Sequence, residues 1–449
     1  MSRGKPPVNV LVLDRYTKQS KGAYSLRDPL TLSLSGKRSN LLNDLELIEQ
    51  ELKSEVHPTI LDLYNIALVV YVWDLQTYRT GVGPRYSSIL MSVSDKPKWD
   101  NAKSHLEATL RFLTGDTFNF HFVQGKAPRA EFEFQEKSEN CVALLSGGLD
   151  SLAGVKWMMD GALKPVLVSH PGMGLISDAQ TRLVTSLRTI AGEQLPWHQI
   201  RATAKPGREL ASKEYTQFSR SFLYLTLGAI FALHLGVEQE FAFENGVLGL
   251  NIPLTQSRIY SNTRTAHPQF LAMYQGLLNL LFDRSVIVEN PFMVMTKGEV
   301  VKLLNSDGFR DLIKTTISCP NVTRLRWKGV QVGRTRHCGV CFPCVVRRAA
   351  VHYSDLWNYD ASYETDITSE YADIPEEGRR MVFEMTDFGR QIKRLASVDE
   401  ALYEFPQLYT GEIVDPRELF DMVKRHVVQF EDFLVQRCHG SLSRSLRLT

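Results

Sequence analysis

The residues best suited to chemistry fall in one short stretch, Ser146-Gly147-Gly148-Leu149-Asp150-Ser151. It joins an apolar run ending at Leu145 to a helical pattern from Leu152 to Met159. Two adjacent glycines let a backbone come close to a phosphate and adopt positive φ. The amides opening the following helix point at the same anion, and the helix dipole favours it. Ser146 and Ser151 add hydroxyl donors, while Asp150 can hold a magnesium ion against the phosphates. A Walker A loop needs GxxxxGK[ST], which this chain lacks. A tight strand-to-helix turn in any α/β protein is the bland alternative.

A second cluster is Cys338-Gly-Val-Cys341-Phe-Pro-Cys344, with Cys319 available as a fourth thiol. Four thiolates closing a tetrahedron suit a structural zinc with no open position for water. The same C-x2-C-x2-C run also occurs in iron–sulfur sites. Either metal would tie two remote loops together and contribute to folding. Four of the six cysteines thus fall at ligand spacing, which fits a reducing cytoplasm better than disulfides.

Positioning these groups requires an α/β framework. From about residue 139 strands alternate with helices. CVALL, PVLVSH, WHQIRA, FAFEN and Val286–Val288 read as strands, and Leu152–Met159, Ala179–Ile190 and Arg220–Leu235 as helices. That alternation predicts a doubly wound parallel sheet, with ligands at the carboxyl ends of the strands. Before it, residues 1–138 read as an α+β extension. It contains a long helical pattern from Asn43 to Thr77, and then RYSSILMSV, FNFHF and EFEFQ as a small antiparallel sheet. After it, residues 351–449 read as a helical extension. Asp415 and Pro416 start one helix, whose apolar face is Leu419, Phe420, Val423, Val427, Phe430 and Leu434.

Composition narrows the function classes. A net charge of +2 over 449 residues, with no long basic stretch, gives no footprint for nucleic acid. The N-terminal apolar stretch, Val8 to Leu13, is too short for a secretory signal. The longest apolar run, Phe222 to Leu235, is short of a membrane span. A cytoplasmic protein that contacts no membrane is expected.

The SGGLDS loop resembles the PP-loop, whose members bind ATP and cleave it between the α- and β-phosphates. Further motifs resemble the 7-cyano-7-deazaguanine synthase family in identity and order. RSFLYLTLGAIFAL resembles its arginine-led helix, NPFMVMTKGEVVKLL its K-x-E element, and TISC…HCGVCFPCVVRR its zinc loop. The resemblance covers about residues 139 to 350. It implies ATP, Mg2+ and Zn2+ as cofactors and a 7-carboxy-7-deazaguanine-like substrate, converted by adenylation and nitrogen attack. Two segments depart from the family. His170-Pro-Gly-Met-Gly replaces its Y-G-Q-R-H, and Thr263-Arg-Thr-Ala-His267 replaces its Y-P-D-C-R. An insertion, roughly Gly246 to Asn262, precedes the second. Extended relatives in bacterial anti-phage operons resemble the chain over more of its length. There the resemblance implies that the acyl group is joined to the amine of a partner protein from the same operon, with the N-terminal extension as a candidate docking surface.

On this reading Asp150, Lys297 and Arg220 are the catalytic candidates. Ser146 to Ser151 bind ATP, and Cys319, Cys338, Cys341 and Cys344 bind zinc. Arg220 has the planar fork of a phosphate or carboxylate clamp, and Lys297 could neutralise departing pyrophosphate. Glu244, Asn245 and Gly246 end a strand on the active face. With Arg264 and His267 they are the substrate-binding candidates. The bland alternatives are a solvated helix end for Arg220, an exposed turn for Lys297 and a plain turn for Glu244 to Gly246. Three other functions fit the same motifs: a nitrile synthase using ammonia, a PP-loop enzyme modifying tRNA, and a non-catalytic scaffold of a defence complex.

Overall fold

The computed structural model describes residues 7–34, 39–52, 56–79, 83–126, 140–172, 174–192, 194–205, 218–255, 264–322, 336–411 and 413–447. EFEFQ, the boundary before Asn140, Met173, residues 256–262 of the insertion and Thr263 lie outside them.

The N-terminal layer contains β1 (Pro7–Val12), α1 (Arg15–Ser20), β2 (Ser25–Leu32), β3 (Leu41–Asn43), α2 (Leu45–Leu52), α3 (Pro58–Gln76), β4 (Tyr86–Val93), α4 (Lys96–Thr114) and β5 (Thr117–Gln124). Its sheet runs β2-β1-β4-β5. Every pair in it is parallel, which corrects the antiparallel expectation. Alternation along FNFHF reports only that one face is buried; the connection decides direction. Here α4 crosses over between β4 and β5, as parallel pairing requires. That helix is polar outside and buries Trp99, Ala102, Leu106, Leu110 and Leu113 at helical spacing. The single helix expected from Asn43 to Thr77 is also divided. His57 caps a new start and Pro58, lacking an N–H, opens α3.

The core continues with β6 (Cys141–Leu144), α5 (Leu149–Asp160), β7 (Pro165–Ser169), α6 (Gly174–Ala191), β8 (Trp197–Gln199), β9 (Ala202–Ala204), α7 (Arg220–Leu235), β10 (Gln239–Phe241), α8 (Gly246–Gly249), α9 (Pro268–Leu281), β11 (Ile287–Glu289) and α10 (Lys297–Lys302). Its parallel sheet runs β11-β10-β6-β7-β8, as expected. The order reverses at β6, so the crevice for ligands opens beyond the carboxyl end of that strand. Side chains alternate along it. Val142 and Leu144 face α7 and α9, whereas Cys141 and Ala143 face α5 and α6. WHQIRA does not form one strand. It stops at Gln199, and β9 pairs antiparallel with β3 of the N-terminal layer.

The N-terminal layer and the core share one apolar interior. Trp73 and Phe120 belong to the same buried cluster as Val142, Phe222 and Tyr274. At its centre α3 packs against α7. By length and composition α3 could cross a membrane, with a mean hydropathy of 1.2, but 83% of that stretch is buried inside the fold. The chain then forms β12 (Arg336–His337), α11 (Phe342–Tyr353), β13 (Ser362–Tyr363), α12 (Glu376–Arg394), α13 (Val398–Glu404) and α14 (Pro416–Arg437). Asp415 caps α14 by accepting from the Arg417 amide, and the six apolar residues expected on one face are all buried.

Candidate active site

The loop after β6 makes the turn its sequence implies. Gly147 sits at φ +88°, a conformation L side chains rarely adopt, and a Cβ there would also crowd Gln180 at 3.2 Å. Gly148 is the N-cap of α5 with no side-chain cap, which leaves the first-turn amides of that helix for an anion. Ser146 and Ser151 face each other at 3.1 Å between hydroxyls, and Ser151 also donates to the Gly148 carbonyl at 3.1 Å. Buried Gln180 of α6 holds the loop from behind. Its amide donates to the carbonyls of Ser146 at 3.1 Å and His170 at 3.3 Å.

Asp150 gathers the other candidates. Lys297 Nζ lies 2.7 Å from its Oδ2, and Asn245 Nδ2 donates to the same oxygen at 3.0 Å. Both members of the ion pair are at most 8% exposed. Burial alone pushes the Asp150 carboxyl up. The Lys297 charge and hydrogen bonds with Glu244, Lys297 and Asn245 outweigh burial and hold it below the ordinary carboxylate range. Its Oδ1 is buried and has no hydrogen-bond partner among the described residues. An ionised carboxylate with an unused buried oxygen at a phosphate loop fits a divalent cation.

Three elements aim these groups. Lys297 opens α10, where Thr296 and Glu299 form a reciprocal capping box. The C-terminal α14 braces that turn: Thr296 donates to Gln429 at 2.7 Å, and Arg425 pairs with Glu299 at 2.7 Å. Glu244 and Asn245 follow β10, and Asn290 after β11 grips the Glu244 backbone from both sides. Gly246 allows a close crossing, because a Cβ there would lie 2.0 Å from the Met293 carbonyl.

Arg220 opens α7. Its guanidinium donates to the Tyr224 hydroxyl at 2.9 Å and lies over that ring. Tyr224 in turn donates to the His170 carbonyl at 2.9 Å, the same carbonyl that Gln180 reaches. His170, the residue after β7, is buried among Tyr71, Tyr224 and Arg220. Burial first, then the nearby Arg220 charge, push its pKa down to about 4, against a hydrogen bond to Ile200 that raises it.

Arg264 and His267 share no contact with the Asp150 cluster. Arg264 lies over Phe112 and donates to its carbonyl at 2.7 Å. His267 caps α9 and reaches the Gln407 carbonyl at 3.3 Å. Both line a separate cleft of about 180 Å³, between the N-terminal layer, the core and the C-terminal extension.

The four cysteines do come together. All four sulfurs are buried and lie within 4.8 Å of one another. A tetrahedral zinc with bonds of about 2.3 Å needs sulfurs roughly 3.8 Å apart. Cys338–Cys344 at 3.8 Å and Cys341–Cys319 at 3.9 Å match, while Cys341–Cys344 is tighter at 3.3 Å. The cluster could therefore hold zinc. It also touches the phosphate loop through the chain: Ile317, two residues before Cys319, donates its amide to the Gly147 carbonyl at 2.9 Å. Buried Arg347 locks the same segment, binding Thr316, Ser318, the Ile313 carbonyl and Asp360.

Gln180, Asn290 and Tyr224 went unmarked at the level of sequence. Each acts through backbone carbonyls or through residues distant in the chain, and no local spacing signals that. No curated protein matches the chain. Residues 183–354 match the family model described as "Queuosine biosynthesis protein QueC". The match takes in the Arg220 helix, Glu244 and Asn245, Lys297 and all four clustered cysteines, and does not include the phosphate loop at residues 146–151. That loop is bound to the matched segment through Asp150–Lys297 and Gly147–Ile317, so over this segment and the site it shares with the loop the chain is similar to the QueC family.

Proposed function

We propose that this chain is an ATP-dependent, C–N bond-forming ligase. It adenylates the carboxyl of a 7-carboxy-7-deazaguanine-like substrate and passes the acyl group to an amine of a partner protein, in anti-phage defence. The observation that carries the ATP chemistry is the convergence of Asp150, Asn245, Glu244 and Lys297 on the glycine loop at the strand-order switch. In the first step a substrate carboxylate oxygen attacks the α-phosphorus, and the bond to the β-phosphate breaks, releasing pyrophosphate. In the second the amine nitrogen attacks the acyl carbon, AMP leaves and the amine's proton passes to solvent.

The residues divide the work by position. The loop amides and the hydroxyls of Ser146 and Ser151 bind the phosphates. Asp150 offers the free Oδ1 to a magnesium ion, which neutralises charge on the phosphates when bound. Lys297 supplies positive charge where pyrophosphate develops, on a turn rigid enough to need no reorganisation. Arg220, among aromatic rings and with no carboxylate partner among the described residues, is placed to clamp the substrate's carboxyl. The cysteine cluster is a clamp on the loop rather than a reacting centre.

Pyrophosphate release from ATP on addition of 7-carboxy-7-deazaguanine tests the first step, and Asp150→Ala should abolish it in a chain that still folds. Intact-mass spectrometry of the co-expressed operon partner tests the second. A mass gain of one deazaguanine acyl group supports ligation. An unmodified partner, with nitrile formed from ammonia, would make the chain a 7-cyano-7-deazaguanine synthase instead.

A further inference from the structure

Arg220 opens α7, and what fixes that opening comes from the N-terminal layer. Ser219 is the N-cap, yet its hydroxyl caps nothing in its own helix. Instead both its backbone amide and its hydroxyl donate to Asp74 Oδ2 of α3, each at 2.9 Å and 145 residues away in sequence. Asp74 therefore caps α7 from another helix, placing an anion where the dipole favours one. Its other oxygen is taken by Arg85 at 2.5 Å, and Arg85 pairs again with Asp116 at 2.6 Å. Asp74 and Asp116 are both fully buried. The preceding residue is held too, since Arg79 lies over the Phe218 ring while pairing with Asp116. One turn before Asp74, Tyr71 meets the His170 ring at right angles, and His170 meets Tyr224, the partner of Arg220, in the same way.

We propose that Asp74 is a positioning residue for Arg220, so that the N-terminal layer builds the wall of the pocket that receives the carboxylate substrate. The phosphate loop is tied instead to Gln180, Lys297 and Ile317, none of which Asp74 touches. Asp74 thus serves one substrate and not the other. The inference rests on the adenylation reading for the identity of that substrate, while the geometric claim stands by itself.

The test uses the full chain carrying Asp74→Asn, with Arg85 still paired to Asp116, and separately Ser219→Ala, which keeps the amide bond to Asp74. Pyrophosphate release is measured against 7-carboxy-7-deazaguanine and, independently, against ATP. Asp74→Asn should raise KM for the acid about tenfold, the scale of one displaced charge-assisted contact, and leave KM for ATP unchanged. Ser219→Ala should shift KM the same way by less. Equal effects on both substrates, or no effect, would overturn the proposal. Labelling of arginines by phenylglyoxal, read by peptide mass, needs no substrate: Asp74→Asn should change the rate at Arg220, which Asp74 does not touch, as well as at Arg85, which it pairs with directly. If the native chain releases no pyrophosphate with this acid, the adenylation reading fails. Asp74 is then judged on labelling, where an unchanged Arg220 rate refutes its role.

Discussion

Replacing Lys297 by methionine keeps most of the side chain's volume and removes its charge. Asp150 is then left as a buried carboxylate with no cation beside it. Breaking a buried pair from one side typically costs about 3–5 kcal/mol. For 449 residues unfolding as one unit, an unfolding entropy of about 2.1 cal/mol/K per residue turns that into a drop of roughly 3–5 °C in Tm. The pH dependence identifies the cause. In the native chain the Asp150 carboxyl lies below its unfolded value of 3.8, so its contribution is present above that pH and is lost only as acid protonates the folded form. Without Lys297 burial dominates and the folded pKa rises above the unfolded one. The contribution is then present in acid and lost as pH rises. The Tm gap between native and Lys297→Met chains should accordingly widen from pH 4 to pH 8 in a thermal-shift titration. Asp150→Asn combined with Lys297→Met should close most of the gap. Pyrophosphate release should fall about 10²–10³-fold in Lys297→Met, the scale of losing one preorganised charge at a developing anion, and stay low in the double variant. Parallel melting curves across pH, or near-normal release, would refute the reasoning.

Elemental analysis should find about one zinc per chain, and Cys341→Ser should loosen it and lower Tm, because metal binding there is folding energy. Iron with a visible absorption band would replace the zinc assignment. Glu240 of β10 is buried, and neither carboxyl oxygen has a hydrogen-bond partner among the described residues. Burial raises its pKa well above the ordinary value, so it stabilises the fold in acid and less as pH rises. Glu240→Gln should therefore gain stability relative to the native chain between pH 5 and pH 8, and a gap independent of pH would contradict this.

The sequence was most legible where chemistry and local structure coincide. Arg220–Leu235 has the same ends as read from its apolar run, and Asp415-Pro416 starts a helix as its caps imply. The glycine loop and the cysteine spacing likewise carry their geometry in adjacent residues. Strand direction was not legible, because FNFHF alternates identically in either orientation, and α4 hid its apolar face among lysines and acids. The hydrogen-bond network was not legible either. Asp150 meets Lys297 across 147 residues and Asp74 meets Ser219 across 145, and periodicity carries no information at that range. Arg264 and His267 were singled out by their place in a family motif, yet the fold places them on a different cleft.

The burial of α3 against α7 also has a consequence for how the chain is made. α3 emerges early from the ribosome as a membrane-like apolar helix. Its covering helix begins only at Arg220, and β3 waits equally long for β9. At about 5–20 residues per second, translation of the 145 residues between Asp74 and Ser219 takes roughly 7–30 s. For that interval the nascent chain carries a greasy, uncovered surface, the kind that chaperones hold and that neighbouring polysomes can entangle. Synthesis that halts before Arg220 leaves the surface bare for good. Such fragments should aggregate, and slower translation should make the full-length protein harder rather than easier to recover.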